Sequence, residues 1–235
     1  MSHDHSHLEP CDHADGKHPV VTELTHHLPF SVGSVVIALI SLAVAQKVFG
    51  LRDARTMEEI FHVCHPVHLL LSATATAGMF YLYDRRPLRA AVIGVLGSAP
   101  ICALGDIAFP WLGGRLMGQP MEFHICAIEE PWLVWPCVAL GVVTGIAGAS
   151  WVKRVTIYSH SAHVLVSSFA SAIYLVGFGL TEWTAKFGWV LLILTVSVMV
   201  PCCLSDIVFP LMFAKRKPWR HPEVGEEEEL LKRRH

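Results

Sequence analysis

The chain has 235 residues, 53% of them hydrophobic and only 16% charged, with a formal net charge of −2 and a mean hydropathy of +0.47. So apolar a composition excludes a disordered chain and a small disulfide-built scaffold. With no net positive field to draw a polyanion, it also excludes a nucleic-acid binder, and it leaves 15 histidines to be explained.

The first of these histidines lie in a short polar tail. Met1–Lys17 carries His3, His5, His7 and His13 together with Asp4, Cys11, Asp12 and Asp15, and His18, His26 and His27 follow. A His-rich tract beside an apolar domain reads as a flexible metal-collecting arm. Met1 is followed by His and Asp rather than by a basic start and an apolar core, so the first apolar run is expected to act as the insertion signal.

Six apolar runs then succeed one another. Leu28–Gln46, Ile60–Tyr83, Pro131–Val152 and Val155–Thr181 hold no acidic or basic residue apart from histidine. Ala90–Gly114 and Phe187–Ala214 are interrupted chiefly by Asp106 and Asp206. A bilayer-crossing helix needs about 20 mostly apolar residues. The runs lack two-residue alternation and are too long for barrel strands. They also lack the polar outer face of a soluble helix.

The expected fold class is therefore an all-α integral membrane protein with six transmembrane helices. Residues 1–29 form a His-rich tail, 30–114 a first three-helix unit, 115–130 an outer loop, 131–214 a second three-helix unit and 215–235 a charged tail. Lysines and arginines divide thirteen to five between the two sides, the majority lying with the termini. Both termini are thus expected in the cytoplasm, with the chain in the plasma (inner) membrane.

The two units repeat one another. His65-Pro-Val-His68-Leu-Leu-Leu-Ser72 returns as His160-Ser-Ala-His163-Val-Leu-Val-Ser167, and six of thirteen positions are identical between 65–77 and 160–172. Cys102-Ala-Leu-Gly-Asp106-Ile-Ala-Phe109-Pro110 returns as Cys202-Cys-Leu-Ser-Asp206-Ile-Val-Phe209-Pro210, with six of nine identical. Apolar bias does not duplicate two His, a Cys, an Asp and a Pro in the same order. Three spans per repeat reverse the chain's direction, so the repeats are expected to be inverted, as in many secondary transporters.

Residues three or four apart share a helix face. His65 with His68, and His160 with His163, therefore each present two imidazoles together, and Asp106 and Asp206 supply a carboxylate from the next helix. Placed on the apolar runs, His65, His68 and Asp106 fall toward the outer face and His160, His163 and Asp206 toward the inner one. Imidazole and carboxylate suit zinc, iron, nickel, cobalt or copper. Secondary ligand candidates are Cys64, Cys102, Cys202, His124, Glu129, Glu130, His26 and His27, with His62 and Glu122 near the outer set. Cys64 and Cys126 both fall near the outer face, and spacing does not decide whether they pair.

The function expected is a permease for a divalent transition metal ion, with transport favoured over catalysis. The alternatives are a metal-dependent or haem-binding membrane enzyme, and a scaffold whose polar residues are purely structural. The expected partners are the lipid bilayer and the metal ion, with no nucleic acid; self-association stays open.

Overall fold

Helices form where the apolar runs lie, and local signals set their ends. The computed structural model describes residues 19–213, apart from the side chains of 19–27, 150–160, 203, 206, 207 and 211. Among the described residues there is no strand. The elements are α1 (Pro19–Val48), α2 (Ala54–Tyr83), α3 (Pro87–Ala103), a π-helical turn (Leu104–Ala108) and α4 (Phe109–Leu116). Then come α5 (Cys126–Glu129), α6 (Pro131–Ala147), α7 (Ala149–Gly177), a 3-10 turn (Trp183–Lys186), α8 (Phe187–Cys203), a second π-helical turn (Leu204–Val208) and α9 (Phe209–Phe213).

Four helical stretches are long and apolar enough to cross a membrane: Leu28–Val48, Ala54–Tyr83, Pro87–Leu116 and Trp183–Cys202. Two more described apolar stretches, Pro131–Ala147 and Ser161–Gly177, are shorter. Polarity is distributed as a bilayer demands. Large apolar side chains such as Ile37, Ile40, Val92, Leu96, Leu140 and Leu192 point outward, whereas the interior buries His65, His68, Asp106, His163 and many serines and threonines. A soluble bundle has the opposite arrangement.

Two of the differences between helix boundaries and apolar runs bear on the site. Helix α2 begins six residues before Ile60, because Ala54, Arg55, Met57, Glu58 and Glu59 are good helix formers. The Asp53 carboxylate caps it by accepting from the Thr56 backbone N–H at 2.8 Å, a bond that holds its carboxyl below the usual range. Further on, Lys153 and Arg154, read from sequence as a loop, lie inside α7. The break comes earlier, where Gly148 alone separates α6 from α7.

These boundaries move the histidines. His68 stands fourteen residues after the start of α2 and fifteen before its end. His163 stands fourteen from either end of α7. Each is therefore a mid-helix residue.

Packing places α2 at the centre, against α6, α7 and α3. The contacts cross between the two halves in matching ways. Helix α1 packs on α7 and α8, and α6 packs on α2 and α3. The first π turn lies on α7, the second on α2. Individual hydrogen bonds repeat the exchange. The Thr76 hydroxyl donates to the Ser205 carbonyl at 3.2 Å, and the Ser171 hydroxyl donates to the Gly105 carbonyl at 3.3 Å. Positions 76 and 171, and positions 105 and 205, have the 95- and 100-residue offsets of the sequence repeat.

Close approach of α6 to α2 rests on two glycines one turn apart. A Cβ at Gly141 would strike the Leu70 carbonyl oxygen, and one at Gly145 the Thr74 carbonyl oxygen, so only glycine permits this separation. Gly33 has nothing within 4 Å of its Cβ position. Gly145→Ala is therefore expected to lower stability by about 1–3 kcal/mol, the usual cost of overpacking, while Gly33→Ala leaves it unchanged or slightly raised. Thermal melting of the two variants in detergent checks the contrast.

Candidate metal centre

Asp106 organises the centre. It lies in the π turn between α3 and α4, a wider turn of the kind often found at functional sites. Its carboxylate is fully buried. His65 Nδ1 and His68 Nδ1 donate to Oδ2 at 2.8 and 2.6 Å. The Ser167 hydroxyl of α7 donates to Oδ1 at 2.9 Å, and the Ser171 hydroxyl, 3.3 Å from both Oδ1 and the Gly105 carbonyl oxygen, shares its single proton between them. An ionised carboxylate only accepts and has about four lone-pair positions, so these four donors fill it.

The pairing fixes the histidine tautomers. With the proton on Nδ1, His68 turns a lone pair outward at Nε2. That atom lies 2.7 Å from His163 Nε2, the rings crossing at 69°. Cys202 Sγ of α8 is 3.9 Å from the same nitrogen. His68, His163 and Cys202 thus converge from α2, α7 and α8, with their ligand atoms all within 4.8 Å of one another. The atoms of His65, His68 and Asp106 converge equally closely. All five residues are buried. Phe61 stacks on His65 at 5.3 Å between ring centroids, closing that flank.

Buried groups of this kind can hold a metal ion. An imidazole that donates one ring N–H to a carboxylate and offers its other nitrogen to an ion is the usual form of a ligating histidine. Here Asp106 occupies the orienting position and His68 Nε2 the ligand position.

Comparison with protein-family models, curated proteins and solved structures gave no match. The chemistry of the site therefore rests on its own residues.

The structure treats the sequence candidates unequally. His65, His68 and Asp106 meet, as the helical spacing implies. His163, expected near the opposite face, instead touches His68, because both stand at the middle of long helices. The side chains of His160, Asp206, His26 and His27 lie outside the described residues, as do His3, His5, His7 and His13 altogether. Cys202 Sγ approaches His68 Nε2, and both Cys202 and Cys102 are buried in the apolar core. Cys64 is half-buried against that core, and both it and Cys126 are unbridged thiols.

The outer candidates form a grouping of their own. His124 and Glu129 pair at 2.9 Å, and His62, His124 and Cys126 converge where the 117–130 segment meets α2. Burial pushes the Cys126 thiol up to about 12. Glu130 marks the start of α6.

Ser167, Ser171 and Ser205 are the residues that sequence reasoning passed over. Ser72 and Ser167 end the repeated His motif, and Ser171 follows Ser167 by one turn, so the signal was present. The Ser167 and Ser171 hydroxyls matter because a buried charge is tolerated only when its remaining lone pairs are satisfied, whereas the Ser205 hydroxyl bonds Ser72 and the Gly97 carbonyl.

Asp106→Asn tests this arrangement. The amide nitrogen would confront a donor where the carboxylate accepted, and an unsatisfied buried donor costs about 1–3 kcal/mol. Melting temperature is expected to fall, and zinc affinity to fall with it. Gly33→Ala, with open space about its Cβ position, serves as the control whose metal affinity is retained.

Proposed function

We propose that this chain is an integral membrane permease for a divalent transition metal ion. Six helices cross the bilayer as two inverted three-helix repeats, with both termini in the cytoplasm. The ion's midway site is His68, His163 and Cys202, with Asp106 holding His68 in its ligating tautomer. The reading draws support from the crossed packing of the halves, from the paired Thr76 and Ser171 hydrogen bonds, and from a π turn at the same place in each repeat. Three crossings per half invert the second half relative to the first.

One observation carries the proposal, the approach of His68 Nε2 to His163 Nε2. The two residues are equivalent in the repeat. Equivalent atoms related by a two-fold axis touch only on that axis, which is where inverted-repeat transporters place their cargo. The dimensions suit an ion. Tetrahedral zinc, with Zn–N of about 2.0–2.1 Å and Zn–S of about 2.3 Å, sets two nitrogens about 3.3 Å apart and nitrogen and sulfur about 3.6 Å apart. The rings need to separate by about 0.6 Å, and the 3.9 Å nitrogen–sulfur spacing to close by a few tenths. Imidazole and thiolate suit zinc, copper, cobalt, nickel or iron and disfavour magnesium and calcium.

A haem fits poorly. Bis-imidazole ligation puts a flat macrocycle between the two rings, and nitrogens 2.7 Å apart leave it no room.

The deciding experiment compares metal content and uptake. Full-length protein and a truncation lacking residues 1–18 are purified, analysed for zinc, and reconstituted into liposomes. Zinc bound outside the tail, including one ion at His68, His163 and Cys202, is expected to survive the truncation. His68→Ala with His163→Ala is expected to remove that ion and reduce zinc uptake about tenfold or more, given that losing even an orienting partner costs 10–100-fold. A folded double variant with undiminished uptake would overturn the proposal.

A further inference from the structure

The segment between α4 and α6 carries a second group of ligands. It folds back on α2 and α7, with the Glu122 backbone N–H donating to the Phe178 carbonyl at 2.9 Å. His124 is held from several directions. Its backbone N–H donates to the Tyr174 hydroxyl at 3.3 Å, and that hydroxyl donates to the Glu122 carbonyl at 2.9 Å. Its ring stacks on Phe178, with centroids 5.2 Å apart and planes 27° apart.

The ring's two nitrogens do different work. Nδ1 lies 2.9 Å from Glu129 Oε2. The carboxylate is fixed in turn, since its Oε1 accepts from the Ile125 backbone N–H at 3.0 Å. With Nδ1 donating to Glu129, the lone pair of His124 is left on Nε2. That nitrogen faces His62 Nε2 at 3.0 Å, and Cys126 Sγ lies within 4.8 Å of a ring nitrogen of each histidine. Cys126 is fully buried, His124 nearly so, and His62 half-buried.

This is the plan of the central site built again from unrelated residues. There, Asp106 orients His68 toward His163 and Cys202; here, Glu129 orients His124 toward His62 and Cys126. Nothing in the repeat requires the likeness, since His124, Cys126 and Glu129 lie between the two repeated units. The 3.0 Å nitrogen separation is about 0.3 Å short of the tetrahedral value, a smaller adjustment than the centre needs. The half-buried His62 leaves one side accessible, so a water can complete the coordination.

We infer that His62, His124 and Cys126 form a second site for a divalent ion of the zinc class, with Glu129 as its orienting carboxylate. The ion is held where the loop meets α2, ahead of the intramembrane centre. Its position suits staging. His62, His65 and His68 follow one another at three-residue spacing on α2, and each step is about 4.5 Å along the helix. A divalent ion at His62 is therefore about 9 Å along the axis from the centre at His68. The staging role rests on the proposed permease, whereas the site itself stands on its own geometry.

Cobalt(II) is the probe, because thiolate ligation gives it a near-ultraviolet charge-transfer band. Detergent-solubilised full-length protein is loaded with cobalt(II) as wild type, Cys126→Ser, Cys202→Ser and the double variant. Difference spectra within this set cancel whatever Cys11 of the tail contributes. Each single substitution is expected to remove about half of the band that the double substitution removes. Glu129→Gln is expected to weaken cobalt binding at the loop site by 10–100-fold while leaving the Cys202 band in place. A band unchanged by Cys126→Ser but reduced by Cys202→Ser would overturn the loop site and leave the centre standing. The converse would uphold the loop site against the centre. Cys126→Ser is nearly isosteric, and His62→Ala, at a half-buried position, is a second variant expected to weaken the same half of the band.

Discussion

Everything at the centre of this protein hangs on the hydrogen bonding of one buried carboxylate. A charge removed from water without partners costs several kcal/mol even after relaxation. Asp106 avoids that cost by accepting four donors from two helices, two imidazoles of α2 and two hydroxyls of α7. The arrangement joins α2 to α7 through a residue of the intervening π turn, so polar satisfaction and helix packing are the same set of contacts. It also decides which nitrogen of His68 faces the interior. Geometry and protonation are thus set together, before any ion is considered.

The pairing of His68 with His163 follows from where long helices cross. Two helices of about 30 residues that touch along their length bring their midpoints together, and each midpoint here is the second histidine of a His-x-x-His pair. A duplicated sequence thereby contributes one ligand from each half to a single place. Cys202 adds a soft donor beside them. The loop grouping at His62, His124 and Cys126 uses the same three chemical parts, an orienting carboxylate, facing imidazoles and a thiol, without any help from duplication.

Much of this was legible in the chain. The apolar runs marked the helices, the His-x-x-His and Cys-x-x-x-Asp repeats marked the chemistry, and three-residue spacing correctly joined His65 to His68 and both to Asp106. What misled was the use of hydropathy to locate helix ends. Asp53 caps α2 well before the apolar run begins, so His65 and His68 lie deeper than the run suggests. Likewise Lys153 and Arg154 continue α7, because basic side chains are good helix formers, while Gly148 makes the actual break. Those two shifts account for the meeting of His68 with His163, which the apolar runs placed toward opposite faces. Ser167 and Ser171 were overlooked because a hydroxyl becomes informative only once the charge it serves has been placed. Spacing alone leaves open whether Cys126 pairs with Cys64, although His124 two residues earlier offers a metal-site reading of the same thiol.

The single-residue connection at Gly148 also ties two helices of the second half closely together. Helices α6 and α7 touch one another little, and each packs along α2. They behave as the two arms of a clasp pinned at one end and closed around a central rod. A clasp of that form can swing about its pin, but neither arm can slide lengthwise past the other by a helical turn. Because α6 is seated on α2 through Gly141 and Gly145, the pin and the seat together turn local movement of one helix into movement of the whole pair.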